Sequence, residues 1–270
     1  MNKRYKSVIK FYNFIRSNKL APLKIKLKVL RSCVLSSLLY NCETFGPLIP
    51  KQLDSTYLKL LKCCLGVRSN TPNDIVYVES GFLPLNSLIL IRQFKFYKRF
   101  FDTIASGSRR ERMNFLLQDE KRTNFIQHYE TLTTRYSSPQ EIVEECRDQL
   151  KQRIRNRAGT GQYKFEIYTR VNPDLSTSPF INSIHPISHL LVRFRLGSHQ
   201  LPIETGRWIR RPRHERLCTA CGELGDEEHA IFSCSLVRRD DLSLVGSLND
   251  IWGNPDIFHL FKRLRSADLV

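Results

Sequence analysis

The chain has 270 residues, of which 41% are hydrophobic and 26% are charged. This composition excludes wholesale disorder and is typical of a globular protein with a hydrophobic core. No apolar run reaches the roughly 18–20 residues that a membrane-spanning helix needs, and no signal peptide is visible at the N-terminus. Eight cysteines are too few for a secreted disulfide scaffold. We therefore expect an intracellular protein in a reducing compartment.

The charge of the chain is its most informative bulk property. There are 43 Lys and Arg residues against 26 Asp and Glu residues, which gives a formal net charge of +17. An excess this large predicts a polyanionic partner such as nucleic acid, and a solvated basic surface is the alternative. The first 42 residues contain ten basic side chains and no acidic one, and a second basic cluster spans residues 193–216.

The spacing of apolar residues predicts helices throughout the first half. The three predicted helices are 22–42, 51–66 and 85–105. The third helix is the longest, and it has an apolar face and a basic face. We expect the basic face to contact nucleic acid through Arg92, Lys95 and Arg99.

The second half begins with a polar stretch, residues 106–137, that we expect to form a connector with one or two loose helices. Ser138-Pro139-Gln140-Glu141 is a capping box and predicts a helix to about Arg157. Residues 159–184 contain two prolines and several Ser and Thr residues. They are interpreted as a linker with one short strand at Lys164 to Thr169.

These elements together predict a mainly α protein with a helical bundle followed by an irregular helical linker. The predicted segments are a helical domain at 1–110, a helical connector and linker at 111–184, a small C-terminal module at 185–245 and a C-terminal tail at 246–270.

One motif carries a strong chemical signal. Cys218, Cys221, His229 and Cys234 form the pattern C-x2-C-x7-H-x4-C. Three thiolates and one imidazole make a closed tetrahedral site, which is typical of structural Zn²⁺. Because the protein fills all four positions, a catalytic metal is disfavoured. Two alternatives remain at this point: the cysteines are unrelated buried residues, or His214 replaces His229 as a ligand.

Basic and aromatic residues lie just before this motif. Single-stranded RNA and DNA are bound by positive charge for the phosphates and by flat side chains for the bases. We therefore expect a nucleic-acid surface on the arginine side of the motif, away from the acidic stretch 223–228. The candidate residues are Arg195, Arg207, Trp208, Arg210, Arg211 and Arg213.

Six short blocks of the chain also resemble a known family. The blocks are Leu-Leu-Tyr-Asn-Cys-Glu-Thr at 38–44, residues 65–73, 79–85, 195–199 and 204–208, and the Cys/His motif. In this order they are similar to the region downstream of the palm in the reverse transcriptases of non-LTR (LINE-type) retrotransposons. The resemblance covers roughly residues 20–105 and 185–240. It implies that the helical domain at 1–110 is a thumb-like bundle, that 111–184 is the linker, and that 185–245 is a small zinc-stapled CCHC zinc-binding module, or zinc knuckle.

The resemblance implies an enzyme, but the residues that catalyse polymerisation in that family are missing. They are aspartates in an aromatic-x-Asp-Asp turn of the palm, and the one Asp-Asp pair here, Asp240-Asp241, follows Arg238-Arg239 beyond the zinc motif. No nuclease motif is present either. We therefore expect a non-catalytic fragment without its palm domain.

As such a fragment, the chain is expected to hold template RNA or target DNA, as single strands or as a primer-template duplex, with the missing palm domain as a further partner. The family's access to chromosomal DNA implies a nuclear location. The alternative interpretations are a zinc-stapled protein-interaction module and a non-functional retroelement relic.

Overall fold

The computed structural model describes residues 3–44, 51–105, 120–237, 247–254 and 256–268. This part of the chain is mainly helical, as the sequence predicts, and it contains no strand. Asp240-Asp241 and residues 106–119 of the predicted connector lie outside it. The α-helices are α1 (Lys3–Ser17), α2 (Leu23–Val29), α3 (Ser36–Leu38), α4 (Lys51–Leu65), α5 (Asn73–Ser80), α6 (Leu85–Ala105), α7 (Glu120–Arg135), α8 (Pro139–Gly159), α9 (Tyr163–Val171), α10 (Ser188–Arg195), α11 (Pro202–Trp208) and α12 (Ile257–Ser266).

In the first half the predicted helices 51–66 and 85–105 are present as α4 and α6, α1 and α5 lie outside the predicted helices, and the predicted helix 22–42 departs locally. A π-helical segment, Leu30–Leu35, joins α2 to α3, so that the predicted helix 22–42 is a composite. It places Leu30, Val34 and Leu38 in the core. The helix α4 ends before Gly66, whose positive φ of 67° suits a residue just past a helix end. The helix α6 has the predicted bounds.

The turn between α5 and α6 depends on Gly81. Gly81 ends α5 in the left-handed conformation, with φ of 69°. A Cβ atom built on it would lie 2.7 Å from the Thr177 hydroxyl oxygen. This turn therefore brings the loop after α9 against the backbone of the first half, and Ser178 donates its N–H to the Glu79 carbonyl over 3.0 Å.

Replacing Gly81 with alanine is expected to destabilise the protein. The left-handed backbone costs a residue with a Cβ about 1–2 kcal/mol, and the overlap with Thr177 adds to that cost. Gly159→Ala is the matched control, since nothing lies within 4 Å of its Cβ position and Ala favours a helix by about 1 kcal/mol over Gly. Urea unfolding should show a loss for Gly81→Ala and no loss for Gly159→Ala; equal stabilities would contradict the strain at Gly81.

Two helices in the second half contrast in how well the sequence predicts them. The helix α8 begins as expected, with the Ser138 hydroxyl accepting from the Glu141 N–H over 3.3 Å. The predicted strand at Lys164 to Thr169 is wrong, because these residues lie in α9. Helical spacing places Phe165, Tyr168 and Val171 in the core against α8, and this packing outweighs the preference of aromatic and β-branched residues for strands.

One hydrophobic core extends through the described chain. It contains residues from all four segments that the sequence predicts, for example Tyr57 from α4, Tyr168 from α9, Leu191 from α10 and Phe261 from α12. The segment predicted as a C-terminal tail thus includes a helix with a buried face. A second, smaller cluster packs α6 against α7 and α8 through Phe94, Tyr97, Leu132, Tyr136 and Ile142.

Within the described ranges, no single helix is both long enough and apolar enough to cross a membrane. The bent pair formed by Asn73–Ser80 and Leu85–Arg99 meets the length and composition criteria together, with a bend of 57°.

Candidate metal centre and adjoining basic surface

The four residues of the Cys/His motif lie together. One ligand atom from each of Cys218, Cys221, His229 and Cys234 lies within 4.8 Å of all the others. The Sγ atoms of Cys218 and Cys234 are 3.8 Å apart. A tetrahedron with metal–sulfur bonds of about 2.3 Å sets two sulfurs about 3.8 Å apart. The group therefore fits a single metal ion.

The first two ligands lie on a tight knuckle. Gly222 adopts a positive φ of 70° and donates its N–H to the Cys218 carbonyl over 2.9 Å, while Cys218 donates its own N–H to the Glu223 carbonyl over 2.7 Å. Burial raises the pKa of the Cys218 thiol, but hydrogen bonds from the backbone amides of Ala220 and Cys221, together with the neighbouring side chains of His229 and Cys234, outweigh it and lower the pKa to about 7. The knuckle thus favours the thiolate that binds a metal.

The third ligand, His229, begins a π-helical turn, His229–Ser233. Its Nδ1 atom lies 3.0 Å from the Glu223 carboxylate, and its Nε2 atom is buried without a hydrogen-bond partner. A carboxylate that accepts from Nδ1–H leaves the lone pair on Nε2, which is the arrangement that metal-binding histidines use. The same turn carries the chain to Cys234, whose N–H reaches the His229 carbonyl over 2.8 Å.

The geometry decides between the alternatives for the ligand set. His214 is 82% exposed and pairs with Glu215, and the metal-binding group does not include it. Cys33, Cys42, Cys63, Cys64 and Cys146 are free and are not part of that group. With four protein ligands at one point, the centre is suited to holding the fold together rather than to activating a water molecule.

Four arginines beside the centre form a basic surface, which we call the arginine surface: Arg207, Arg210, Arg211 and Arg213. The last three are exposed, and Arg207 is one-third exposed. The guanidinium of Arg213 stacks over Tyr163 at 4.9 Å, which fixes its position. Trp208 is 45% exposed beside them. These five predicted residues, which are near neighbours in the chain, are thus exposed or partly exposed on the outside of the protein.

The structure corrects the prediction for Arg195, which lies in the core and has no place on a nucleic-acid surface. Its side chain is 4% exposed and pairs with Glu79, which is fully buried, over 2.6 Å between Nε and Oε1. The Tyr168 hydroxyl donates to the same carboxylate over 3.0 Å. Because the Arg195 side chain is itself buried, it cannot reach a phosphate on a bound nucleic acid. The aromatic residue Phe194, which lies in the same basic cluster, is also buried. Phe232, between the metal ligands His229 and Cys234, is partly buried and packs against the core.

The basic face of α6 is only partly available. Arg92 is half-buried and donates to the Leu39 carbonyl over 3.1 Å, which ties α6 to the end of α3. Lys95 and Arg99 are exposed. Arg92 therefore has a structural contact within the first half. The exposed positive charge on this face of α6 comes from Lys95 and Arg99.

A polar network next to the arginine surface has no signal in the sequence pattern. The buried Glu204 accepts from Arg68 over 3.0 Å and from Lys164 over 2.8 Å. Arg68 and Glu204 are 136 residues apart, so neither periodicity nor motif spacing predicts their contact. Glu223 is the other residue of the site without such a signal, since its sequence context is the acidic stretch 223–228 and its contact with His229 is visible only in the structure.

Comparison of the chain with protein-family models, with curated proteins and with solved structures finds no match.

Proposed function

We propose that the protein is a non-catalytic nucleic-acid-binding fragment derived from a non-LTR retrotransposon reverse transcriptase, and that it acts in the nucleus. In this proposal the arginine surface holds template RNA or target DNA, and the metal centre keeps that surface in place. The observation that carries the proposal is the arrangement of four arginines and an exposed tryptophan beside a three-cysteine, one-histidine centre. The net charge of +17 supports it, because a polyanion would relieve the self-repulsion.

The metal in this proposal is Zn²⁺. Three sulfur ligands and one imidazole nitrogen suit zinc better than Mg²⁺ or Ca²⁺, which prefer oxygen ligands. Cys218, Cys221 and Cys234 would bind it as thiolates, and His229 would bind it through Nε2. The ion would supply structural cross-linking of residues 218–234 and no chemistry.

Contacts between the sequence blocks support the proposed family relationship. Glu79 of the 79–85 block pairs with Arg195 of the 195–199 block, and Arg68 of the 65–73 block pairs with Glu204 of the 204–208 block. Residues that are distant in the chain but buried together as ion pairs constrain each other. This gives a physical reason for these blocks to occur as a set.

The proposal predicts steeply salt-dependent binding to RNA and DNA. Each phosphate contact releases counterions and adds about 0.7–0.9 to the slope of log affinity against log salt. Changing the four residues of the arginine surface to glutamine should therefore reduce that slope by about 3–4. Fluorescence anisotropy with a labelled single strand and a labelled primer-template duplex, titrated from low to high salt, measures it.

The control removes the same charge from other elements, α1 and α8, at exposed residues with no role in the proposal. Its substitutions are Lys6→Gln, Lys10→Gln, Arg147→Gln and Arg155→Gln. This variant should keep the wild-type slope. If both variants lose the same slope, binding follows net charge and the arginine surface is not the site. If the wild-type chain binds neither nucleic acid at low salt, the proposed function is wrong.

A protein-interaction module is the second candidate, and exposed apolar residues around the metal ligands favour it. Ile209 is 67%, Leu217 is 45% and Leu236 is 54% exposed. An apolar interface buries such residues, and its affinity does not fall steeply with salt. Binding to a protein partner that persists at high salt, with no binding to nucleic acid, would favour this candidate.

A further inference from the structure

The carboxylate of Glu204 is surrounded by more positive charge than it can neutralise. Its two oxygens accept from Lys164 over 2.8 Å, from Arg68 over 3.0 Å and from Arg207 over 3.1 Å. Three cations around one anion leave a local charge of +2. Glu204 itself is 2% exposed, so this excess lies at the edge of the core rather than in bulk water.

A fourth cation, Arg193, adds to the excess. Its side chain passes 3.5 Å from the Cβ position of Gly66, and its buried Nε atom has no hydrogen-bond partner. Burial lowers the pKa of Arg68, Glu204 opposes this, and the charges of Arg193 and Arg207 lower it further. The cations therefore lie close enough to repel one another, and an added anion would relieve that repulsion.

The same carboxylate holds an aromatic ring in place. The indole Nε1 of Trp208 lies 3.4 Å from Glu204 Oε1, and the Arg68 guanidinium covers one ring face at 3.8 Å from the centroid. Trp208 is nevertheless 45% exposed, so the exposed area belongs to the other face and the ring edge. A ring that is oriented from one side and open on the other is a stacking platform with little orientational freedom to lose on binding.

We infer that this cluster binds one unpaired nucleotide of a single-stranded nucleic acid, whose base stacks on the open face of Trp208 and whose phosphate is held by Arg68 and Arg207. The inference rests on the proposed function and makes it more specific. A base in a duplex is already stacked on its neighbours and cannot reach the ring, so the site selects single strands over duplexes. Every base has a flat face, so the site accepts any base.

The test compares Trp208→Ala with Trp208→Phe on a single strand and on a duplex of the same sequence. Stacking on an aromatic side chain changes single-strand affinity by about 5- to 150-fold per base. Trp208→Ala should show a loss in that range for the single strand and little change for the duplex, whereas Trp208→Phe should keep most of the affinity. Ile209→Ala is the matched control, since Ile209 is also exposed and adjacent.

A second measurement uses the folded protein without changing the site. The chain has two tryptophans, so Trp252→Phe leaves Trp208 as the single fluorophore. Its emission should be quenched by a short single strand and by adenosine monophosphate at high concentration, and much less by the duplex. Zinc content and the helical circular dichroism of each variant verify that it is folded.

The outcomes separate this inference from the broader proposal. Suppose that the wild-type chain binds nucleic acid with a steep salt slope. If Trp208→Ala then lowers the affinity for single strands and duplexes equally, or lowers neither affinity, the stacking site is wrong while the proposal for the arginine surface is unaffected. Unquenched Trp208 emission in the bound single-strand complex would also overturn it. If the wild-type chain binds no nucleic acid, the proposed function itself fails.

Discussion

Replacing Cys221 with serine is expected to release the metal ion and to unfold the segment from Leu217 to Val237. A structural zinc ion contributes about 10–16 kcal/mol of apparent binding free energy in small zinc modules at neutral pH. That is comparable with the whole stability of an ordinary domain, about 5–15 kcal/mol. Cys218 and Cys234 are buried, so without the ion two thiols of the metal-binding group would remain side by side in the core with no shared partner to hold them.

The measurements are metal content and amide hydrogen exchange. Wild-type protein should contain one zinc ion per chain, and the variant should contain almost none. Exchange protection should fall across residues 217–237 while α4, α5 and α6 stay protected. A chelator should reproduce this pattern in the wild-type chain. Cys33→Ser is the control, because Cys33 is an exposed free cysteine. A Cys221→Ser variant that keeps its metal and its protection would contradict the assignment of the four ligands.

Breaking the buried pair of Glu79 and Arg195 is the second substitution with a large expected effect. Arg195→Met would leave the Glu79 carboxylate in the core without its cation, and the loss of one partner of a buried ion pair costs about 3–5 kcal/mol. The double variant Glu79→Gln with Arg195→Met should recover much of this loss. Glutamine is neutral and still offers the Tyr168 hydroxyl an oxygen acceptor.

The control for that experiment is an exposed ion pair. Arg135 and Glu145 form an ion pair with side chains 59% and 32% exposed, and exposed pairs contribute about 0–1 kcal/mol. Arg135→Met should therefore change the free energy of unfolding by less than 1 kcal/mol in urea titrations. If Arg195→Met has an equally small effect, or if the double variant is no more stable than Arg195→Met, the buried pair does not contribute to the free energy of unfolding in the way proposed.

The helices that the sequence predicts well are those with local signals at their ends. Pro84 precedes α6, and the Ser138 capping box begins α8. In both helices the apolar residues keep helical spacing, so short-range rules are sufficient. The bounds of α6 and the start of α8 accordingly match the structure.

The helix α9 shows where such rules fail. Its sequence, Tyr-Lys-Phe-Glu-Ile-Tyr-Thr-Arg-Val, alternates apolar and polar residues at its start and is rich in residues that prefer strands. Contacts with α8 decide its conformation, and those contacts depend on the whole fold. Local propensity is a weak guide where tertiary packing is this extensive.

The candidate site likewise has one part that the sequence predicts and one part that it does not. The metal ligands follow a spacing that has chemical meaning within 17 residues, so the sequence predicts them and the structure brings them together. Residues that pair across a long distance in the chain show no comparable spacing pattern. The basic cluster around Arg195 predicts a surface position for it, but its pairing with Glu79, 116 residues earlier, places it in the core. Likewise, the role of Arg68 at Trp208 is visible only in three dimensions.

The distance along the chain between Glu79 and Arg195 also has a consequence for synthesis. At about 5–20 residues per second, a ribosome adds the 116 residues between them in about 6–23 s. During that interval the nascent first half contains the carboxylate but not the guanidinium that neutralises it. Closing the core of the first half around this carboxylate without its partner is costly, unless the carboxyl group takes up a proton. We therefore expect the helices of the first half to form early and the final burial of Glu79 to follow once α10 has left the ribosome.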